Sequence, residues 1–319
     1  MPTTKRETCL YGVRNTNISM LKIAFHPIYK YELPEGHRFP MAKYELLPEQ
    51  LLYEGTVTDG NFFCPEAIDE AIILLTHEWE YWEKLKNQTL SAKEIRAIGF
   101  PMSAHLVQRG RHIAMGTIQA ALYAQQYGVA MNIAGGTHHS FSYKGEGFCV
   151  FNDIAIAANY LLQQQLVKKI LIVDLDVHQG NGTAQIFEKD PRVFTFSMHG
   201  EKNYPVRKEK SDLDIGLPDK TEDAVYLKIL RNTLPALIDA VKPEIIFYLS
   251  GVDVLATDKL GRLSLTMQGC KERDYFVLET CKKNHIPVAV SMGGGYSGRL
   301  AQVVEAHANT YRVAQEIFF

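Results

Sequence analysis

Asp174, Asp176 and His178 stand at alternate positions of one stretch, ILIVDLDVHQGNG, which runs from Ile170 to Gly182. Its lead-in is a short apolar run rich in β-branched residues, which reads as a strand buried on both faces. Extended chain has a period of two, so the three polar side chains share a side if the strand continues through them. Two carboxylates and an imidazole at the end of a buried strand are costly to desolvate unless something compensates them. A divalent cation would, and two Asp with one His make an open site that leaves zinc a position for water. Asp176 and His178 offer two ligands, and the third must come from elsewhere. Asp258 and Asp253 both follow the apolar run that starts at Glu244, and spacing alone does not separate them. A lone D-x-D is ordinarily a solvated loop. Here the His, the apolar lead-in and the backbone freedom of Gly180 and Gly182 point to a metal site.

A hydrolase built on such a site also needs a proton carrier. His138 and His139, in GGTHH, put two imidazoles on a glycine-flanked turn. Tyr296, after three glycines, could aim a hydroxyl at a developing oxyanion. Taken singly, adjacent histidines can merely fill a polar loop and a loop tyrosine can merely anchor it.

The elements that must position these groups alternate along the chain. Strands are expected at Lys22 to Phe25, Val129 to Ala134, Ile170 onward, Val193 to His199, Asp214 to Leu217, Glu244 to Gly251 and Pro287 to Met292. Helices are expected over Cys64 to Lys86, Ile113 to Tyr127, Asn152 to Gln165, Ala224 to Val241, Thr266 to Asn284 and Leu300 to Glu316, with loop and short helical pieces from Tyr29 to Asn61. This alternation predicts an α/β fold with a central, mostly parallel sheet of about eight strands and helices on both faces. Ligands in such sheets bind beyond the carboxyl ends of the strands. The polar clusters all fall there, including Ser197-Met198-His199. No linker, repeat or low-complexity tract divides the chain, so residues 1–319 read as one domain.

Composition narrows the function classes. The 319 residues are 46% hydrophobic and 22% charged, as in ordinary globular proteins, and the formal charge of −2 gives no basic surface for nucleic acid. No apolar run reaches the ~20 residues that span a bilayer, so no membrane insertion is expected. The polar stretch Met1 to Leu10 lacks the apolar segment of a secretion signal. Cys9, Cys64, Cys149, Cys270 and Cys281 are odd in number and scattered, which argues against a disulfide framework and for the cytoplasm. Nothing in the sequence speaks to oligomeric state.

Six stretches, in order, resemble the zinc-dependent histone deacetylase family of the arginase–deacetylase fold. They are GGTHH, GFCVFND (Gly147 to Asp153), DLDVHQGNG, FSMH (Phe196 to His199), GVDVLATDKLGRLSLT (Gly251 to Thr266) and GGGYSGR (Gly293 to Arg299), and the resemblance covers about half the chain. The HQGNG and DKLGRLSLT forms look most like the class IV branch and its bacterial relatives. The resemblance implies one zinc ion held by Asp176, His178 and Asp258. It also implies a structural potassium ion at Asp174 and Ser197, with His139 as general base and acid and His138 as its electrostatic neighbour. Asp174 would orient His138, and Tyr296 would bond the carbonyl oxygen. Gly147, Phe148 and Tyr204 would line an acyl-lysine channel. Asn181 stands where class I members carry Asp, which implies a less basic His139. The implied substrate is an acylated lysine, with long fatty acyl groups suggested by the class IV likeness. Acetylated polyamines or other acylated amines are the alternative. A two-metal arginase site would need more carboxylates, and a binding module would be expected to have lost Tyr296 or a histidine.

Overall fold

The computed structural model describes residues 19–319, so the Met1 to Leu10 stretch and Cys9 lie outside the described residues. The strands are β1 Lys22–Ala24, β2 Phe62–Phe63, β3 Val129–Asn132, β4 Ile170–Asp174, β5 Val193–Gly200, β6 Leu213–Leu217, β7 Ile245–Leu249 and β8 Val288–Ser291. They form one eight-stranded sheet, β2-β1-β3-β8-β7-β4-β5-β6, in which every pairing is parallel. The four central strands, VAMN, VAVS, IIFYL and ILIVD, are buried at every residue. That is why they read as unbroken apolar runs rather than alternating ones. At the edge, LDIGL in β6 alternates between exposed and half-buried.

Register sets up the site. Asn132 pairs with Ser291, Ser291 with Leu249, Leu249 with Asp174, and Asp174 with Ser197. Four strands end on this row, so the loops after β3, β8, β7 and β4 leave the sheet side by side. Because β7 and β8 come late in the chain but insert between β3 and β4, segments more than a hundred residues apart meet there.

Among the described residues the α-helices are α1 Lys43–Tyr53, α2 Glu70–Ile73, α3 Trp79–Lys86, α4 Ala92–Ile98, α5 Ala104–Tyr127, α6 Asp153–Gln163, α7 Asn181–Phe187, α8 Asp223–Val241, α9 Met267–Lys283 and α10 Leu300–Phe318. The α5 helix starts earlier than its apolar periodicity suggests, because the Ser103 hydroxyl accepts from Leu106 N (3.1 Å) and caps it. Gly128, at φ 88°, ends it. The single helix expected over Cys64 to Lys86 is instead two short ones. Between them His77 bonds Phe141 O (3.0 Å) and Glu78 N bonds Ser142 O (2.8 Å), so contacts with a distant loop override helical periodicity. The α1 helix lies in the segment expected to hold short helical pieces and is longer than those, and the two-residue β2 carries no periodic signal. Cys149, Cys270 and Cys281 are buried and free, whereas Cys64 is disulfide-bonded, against the expectation from scattered spacing. Among the described residues no helix is long and apolar enough to cross a membrane.

Candidate active site

The β4 strand ends at Asp174, so Asp176 and His178 do not continue it as extended chain. Each Asp bends the backbone instead. Asp174 Oδ1 accepts from Asp176 N (3.2 Å) and Asp176 Oδ1 from His178 N (3.0 Å), two successive turns closed by Asp side chains. This curl aims His178 Nδ1 at two carboxylates, 3.0 Å from Asp176 Oδ1 and 3.2 Å from Asp253 Oδ2. Asp176, His178 and Asp253 are all buried, and their ligand atoms lie within 4.8 Å of one another. The backbone comes unusually close here. A Cβ at Gly251 would strike Asp176, and one at Gly294 would strike both carboxylates. Gly294 N also donates to Asp176 Oδ2 (2.8 Å).

Two observations say that a cation suits this cluster. Asp253 Oδ1 accepts from Val177 N (2.9 Å), but Oδ2 is buried and, apart from the His178 ring 3.2 Å away, has no hydrogen-bond partner. Burial and the adjacent Asp176 carboxylate push Asp253 up to about 7. A divalent ion bound by all three side chains would satisfy that orphaned oxygen and offset the repulsion. Asp258, the carboxylate implied by the resemblance, lies beside this cluster and close enough to feel Asp253 and His178, but is not one of its three members. The reason is local: Asp258 Oδ1 accepts from Leu260 N and Gly261 N (both 2.8 Å), and Oδ2 accepts from Tyr296 N (2.5 Å). These three bonds clasp the loop that carries Tyr296 and leave Oδ2 one acceptor position.

The two imidazoles beside the cluster are set apart electrically. His138 Nδ1 donates to Asp174 Oδ2 (2.7 Å). Burial opposes a charge on His138, but the Asp174 carboxylate outweighs it and raises the ring above its ordinary value. His139 Nδ1 instead meets Asn181 Oδ1 (2.7 Å), a neutral group. Burial, then the neighbouring His138 and His178, holds His139 well below the usual imidazole range. The pair thus offers one ring that holds its proton and one free to take one, an arrangement suited to acid–base work.

Tyr296 stacks its ring near His178 (6.5 Å between centroids) and against Phe148 (6.1 Å) and Phe39 (5.9 Å). Burial, with Asp253 and Asp176 close by, keeps its hydroxyl protonated well above the ordinary range. His138, His139, Gly147, Phe148, His178 and Tyr296 line one cavity of about 40 Å³. Tyr204 stands at its rim, 42% exposed, with its ring edge-on to His139 at 5.0 Å. Ser197 is at the same sheet edge, but its hydroxyl is bonded to His199 Nδ1 (2.9 Å).

The family model of the histone deacetylase domain matches residues 37–311. The chain belongs to the histone deacetylase family. An uncharacterized protein of Picosynechococcus sp. is 45% identical to it over 93% of this chain and 99% of its own length. Histone deacetylase 2 of Arabidopsis thaliana is 28% identical over 92% of this chain and 78% of that protein. The acetoin utilization protein AcuC of Staphylococcus aureus strain MSSA476 is also 28% identical, over 84% and 74%. The crystal structure of an HDAC homolog complexed with SAHA superposes with a TM-score of 0.80 at 24% identity, over 93% of this chain and 84% of that one. The HDA15 HD domain gives 0.78 at 21%, over 93% and 88%. These shapes match the eight-stranded parallel α/β architecture. Equal identity to a plant deacetylase and to AcuC does not single out the class IV branch.

Three supports of this candidate site escaped the sequence reading. Asp153, in GFCVFND, accepts from Thr137 N (2.8 Å), Gly136 N (3.2 Å) and the Thr117 hydroxyl (2.6 Å), which ties the histidine loop to α5. Lys43 is fully buried and donates to Gly293 O (3.0 Å), bracing the glycine run before Tyr296. Arg273, also fully buried, donates to Leu175 O (3.2 Å), Ser250 O (3.2 Å) and Gly251 O (2.6 Å) at the ends of β4 and β7. Of these, only GFCVFND could have been flagged, from its place in the motif. Lys43 and Arg273 sit among ordinary charged residues.

Proposed function

We propose that this protein is a metal-dependent amide hydrolase that removes acyl groups, acetyl or longer, from lysine side chains. Asp176, His178 and Asp253 would hold one zinc ion, which when bound would polarise the acyl carbonyl and acidify a water molecule. His139, neutral and with its Nε2 unbonded within the protein, would take the proton from the attacking water and return it to the leaving amine. His138, hydrogen-bonded to Asp174, would stabilise negative charge that develops nearby. Tyr296 would donate its hydroxyl to the carbonyl oxygen, and Phe148, Gly147 and Tyr204 would hold the aliphatic stem of the lysine. The observation that carries this reading is the neutral, buried His139 across a small cavity from the three-ligand cluster.

The class IV likeness, with its long-chain preference, rests on HQGNG and DKLGRLSLT alone. Polyamine substrates are disfavoured by Arg38, whose guanidinium lies 5.0 Å over the Phe148 ring and would repel a polycation. No feature of the site argues for the potassium ion, since Ser197 and Asp174 both have protein partners. The test is a screen of acetyl-, octanoyl- and myristoyl-lysine forms of one peptide and of acetylated polyamines, with chelator and with zinc restored. Chelator-sensitive hydrolysis of at least one acyl-lysine peptide is expected. Hydrolysis of none, or of polyamines alone, would overturn the proposal.

A further inference from the structure

Asn181 poses a problem that the site must solve. A side-chain amide has a donor end and an acceptor end of nearly the same shape. In the arrangement described, Asn181 Oδ1 accepts from His139 Nδ1–H, which leaves Nε2 with a lone pair on the cavity side. Were the amide turned over, Nδ2–H would donate to Nδ1, and the imidazole proton would move to Nε2. That ring could not accept a proton from water. An Asp at this position would have no such ambiguity, because an ionised carboxylate only accepts.

The structure supplies what removes it. Asn181 Nδ2 donates to Glu146 Oε1 at 2.7 Å. The same oxygen accepts from the Tyr204 hydroxyl (2.8 Å), and Oε2 pairs with Lys144 Nζ (2.7 Å). The Glu146 side chain is only 13% exposed, and Gly147 beside it packs so closely that a Cβ there would strike the His139 ring. We propose that Glu146 is a positioning residue that fixes the tautomer of His139 by locking the Asn181 amide. The carboxylate is an obligate acceptor, so only one orientation of the amide satisfies both ends. The lock places the negative charge one residue further from His139 than an Asp-backed dyad would. Substituting Asp at 181 alone would therefore set two carboxylates against each other at hydrogen-bond distance.

This inference rests on the acid–base role given to His139, and its test separates the two. In ¹⁵N-histidine-labelled protein, His139 should show Nδ1–H and bare Nε2 whether or not any substrate is turned over. Glu146→Gln should preserve the fold but give a mixture of the two tautomers. It should also lower kcat about 10-fold to 100-fold, the range for a partner one step behind a functional group, with KM little changed. Asn181→Asp should fall as far or further, and the double variant Asn181→Asp, Glu146→Gln should recover kcat to near the parent. An unchanged His139 spectrum in Glu146→Gln would overturn the lock even if the enzyme is active. Full activity of Asn181→Asp with Glu146 intact would overturn it equally. A correct tautomer signature in a protein that hydrolyses no acylated amine would leave the lock standing and remove only the proposed reaction.

Discussion

Exchanging Asp253 or Asp258 for Asn separates a metal ligand from a loop clasp, because the two carboxylates are used in different ways. Asp253→Asn keeps an oxygen for Val177 N but removes the charge that faces His178. Four-coordinate zinc sites hold their ion by about 10–16 kcal/mol, so one ligand of four is worth roughly 3 kcal/mol, or about two orders of magnitude in affinity. The metal-free protein should be no less stable for this change, since it relieves a buried carboxylate raised to about 7 by burial and by Asp176. Asp258→Asn does the reverse. Three backbone N–H groups converge on that carboxylate, and Asn must turn an NH₂ toward some of them. Each charge-assisted bond is worth about 1.5–3 kcal/mol, so a loss of about 3 kcal/mol in stability is expected, with zinc retained and the Tyr296 loop loosened. The assay is a titration of each apoprotein with zinc against a competing chelator, paired with thermal melts with and without metal. The melt of Asp253→Asn should lose its metal-induced rise, which for the parent is about 2.7 kcal/mol at a hundredfold excess over Kd. Zinc affinity that survives in Asp253→Asn but collapses in Asp258→Asn would refute the reasoning.

Tyr296→Phe should retain fold and metal but lose roughly 3 kcal/mol of transition-state stabilisation, seen as a drop of about 10²-fold in kcat; parental turnover would remove the hydroxyl from the reaction. Because burial holds His139 well below the imidazole range, it stays neutral as pH falls through 6.5, and the acid limb of kcat/KM for the zinc-loaded enzyme should lie below that value. A limb at or above 6.5 that vanishes in a His139 variant would contradict the assignment. Burial also lowers His77 to about 4, with its ring bonded to Phe141 O and Asn152 N. Its folded pKa lies below the unfolded one, so its stabilising effect is complete above about 6.5 and is lost as pH falls toward 4. The difference is about 3 kcal/mol, and urea midpoints of His77→Gln should accordingly be flatter with pH over that window.

Much of the fold was legible because the central strands are covered on both faces. Burial at every residue forces the continuous apolar runs of β3, β4, β7 and β8, and the polar residues that follow each run mark where the sheet stops. Elements decided by distant partners were not legible. The break between α2 and α3 depends on the loop at 141–142, and β2 owes its pairing to β1 and not to any pattern of its own. At the site, the histidine pair, Tyr296 and the Asp176–His178 stretch stood out because such groups are rare at strand ends. Glu146 did not, since a Glu two residues from a Lys is usually a solvated surface pair. Asp253 and Asp258 share one loop, and what tells them apart is their donors: Val177 N of the β4 loop for Asp253, a local turn and Tyr296 N for Asp258.

The case of Arg273 shows why such sites are only half visible in a sequence. KERDY, within α9, looks like a solvated helix face, and an adjacent Arg and Asp would ordinarily point apart. Here both are fully buried, and Asp274 accepts from Arg273, from Thr310 and from the Tyr248 hydroxyl of β7. Removing one partner of a buried pair costs about 3–5 kcal/mol, while an apolar replacement of the pair is often neutral. Stability alone therefore does not explain the placement of the guanidinium. Its position does: Leu175 O lies one residue before Asp176, and Gly251 O two residues before Asp253. One rigid fork thus holds the two strand ends that carry Asp176 and Asp253, the carboxylates proposed to share an ion. A residue of this kind is found only by asking which donors satisfy the carbonyls beneath a ligand, a question that needs the folded chain.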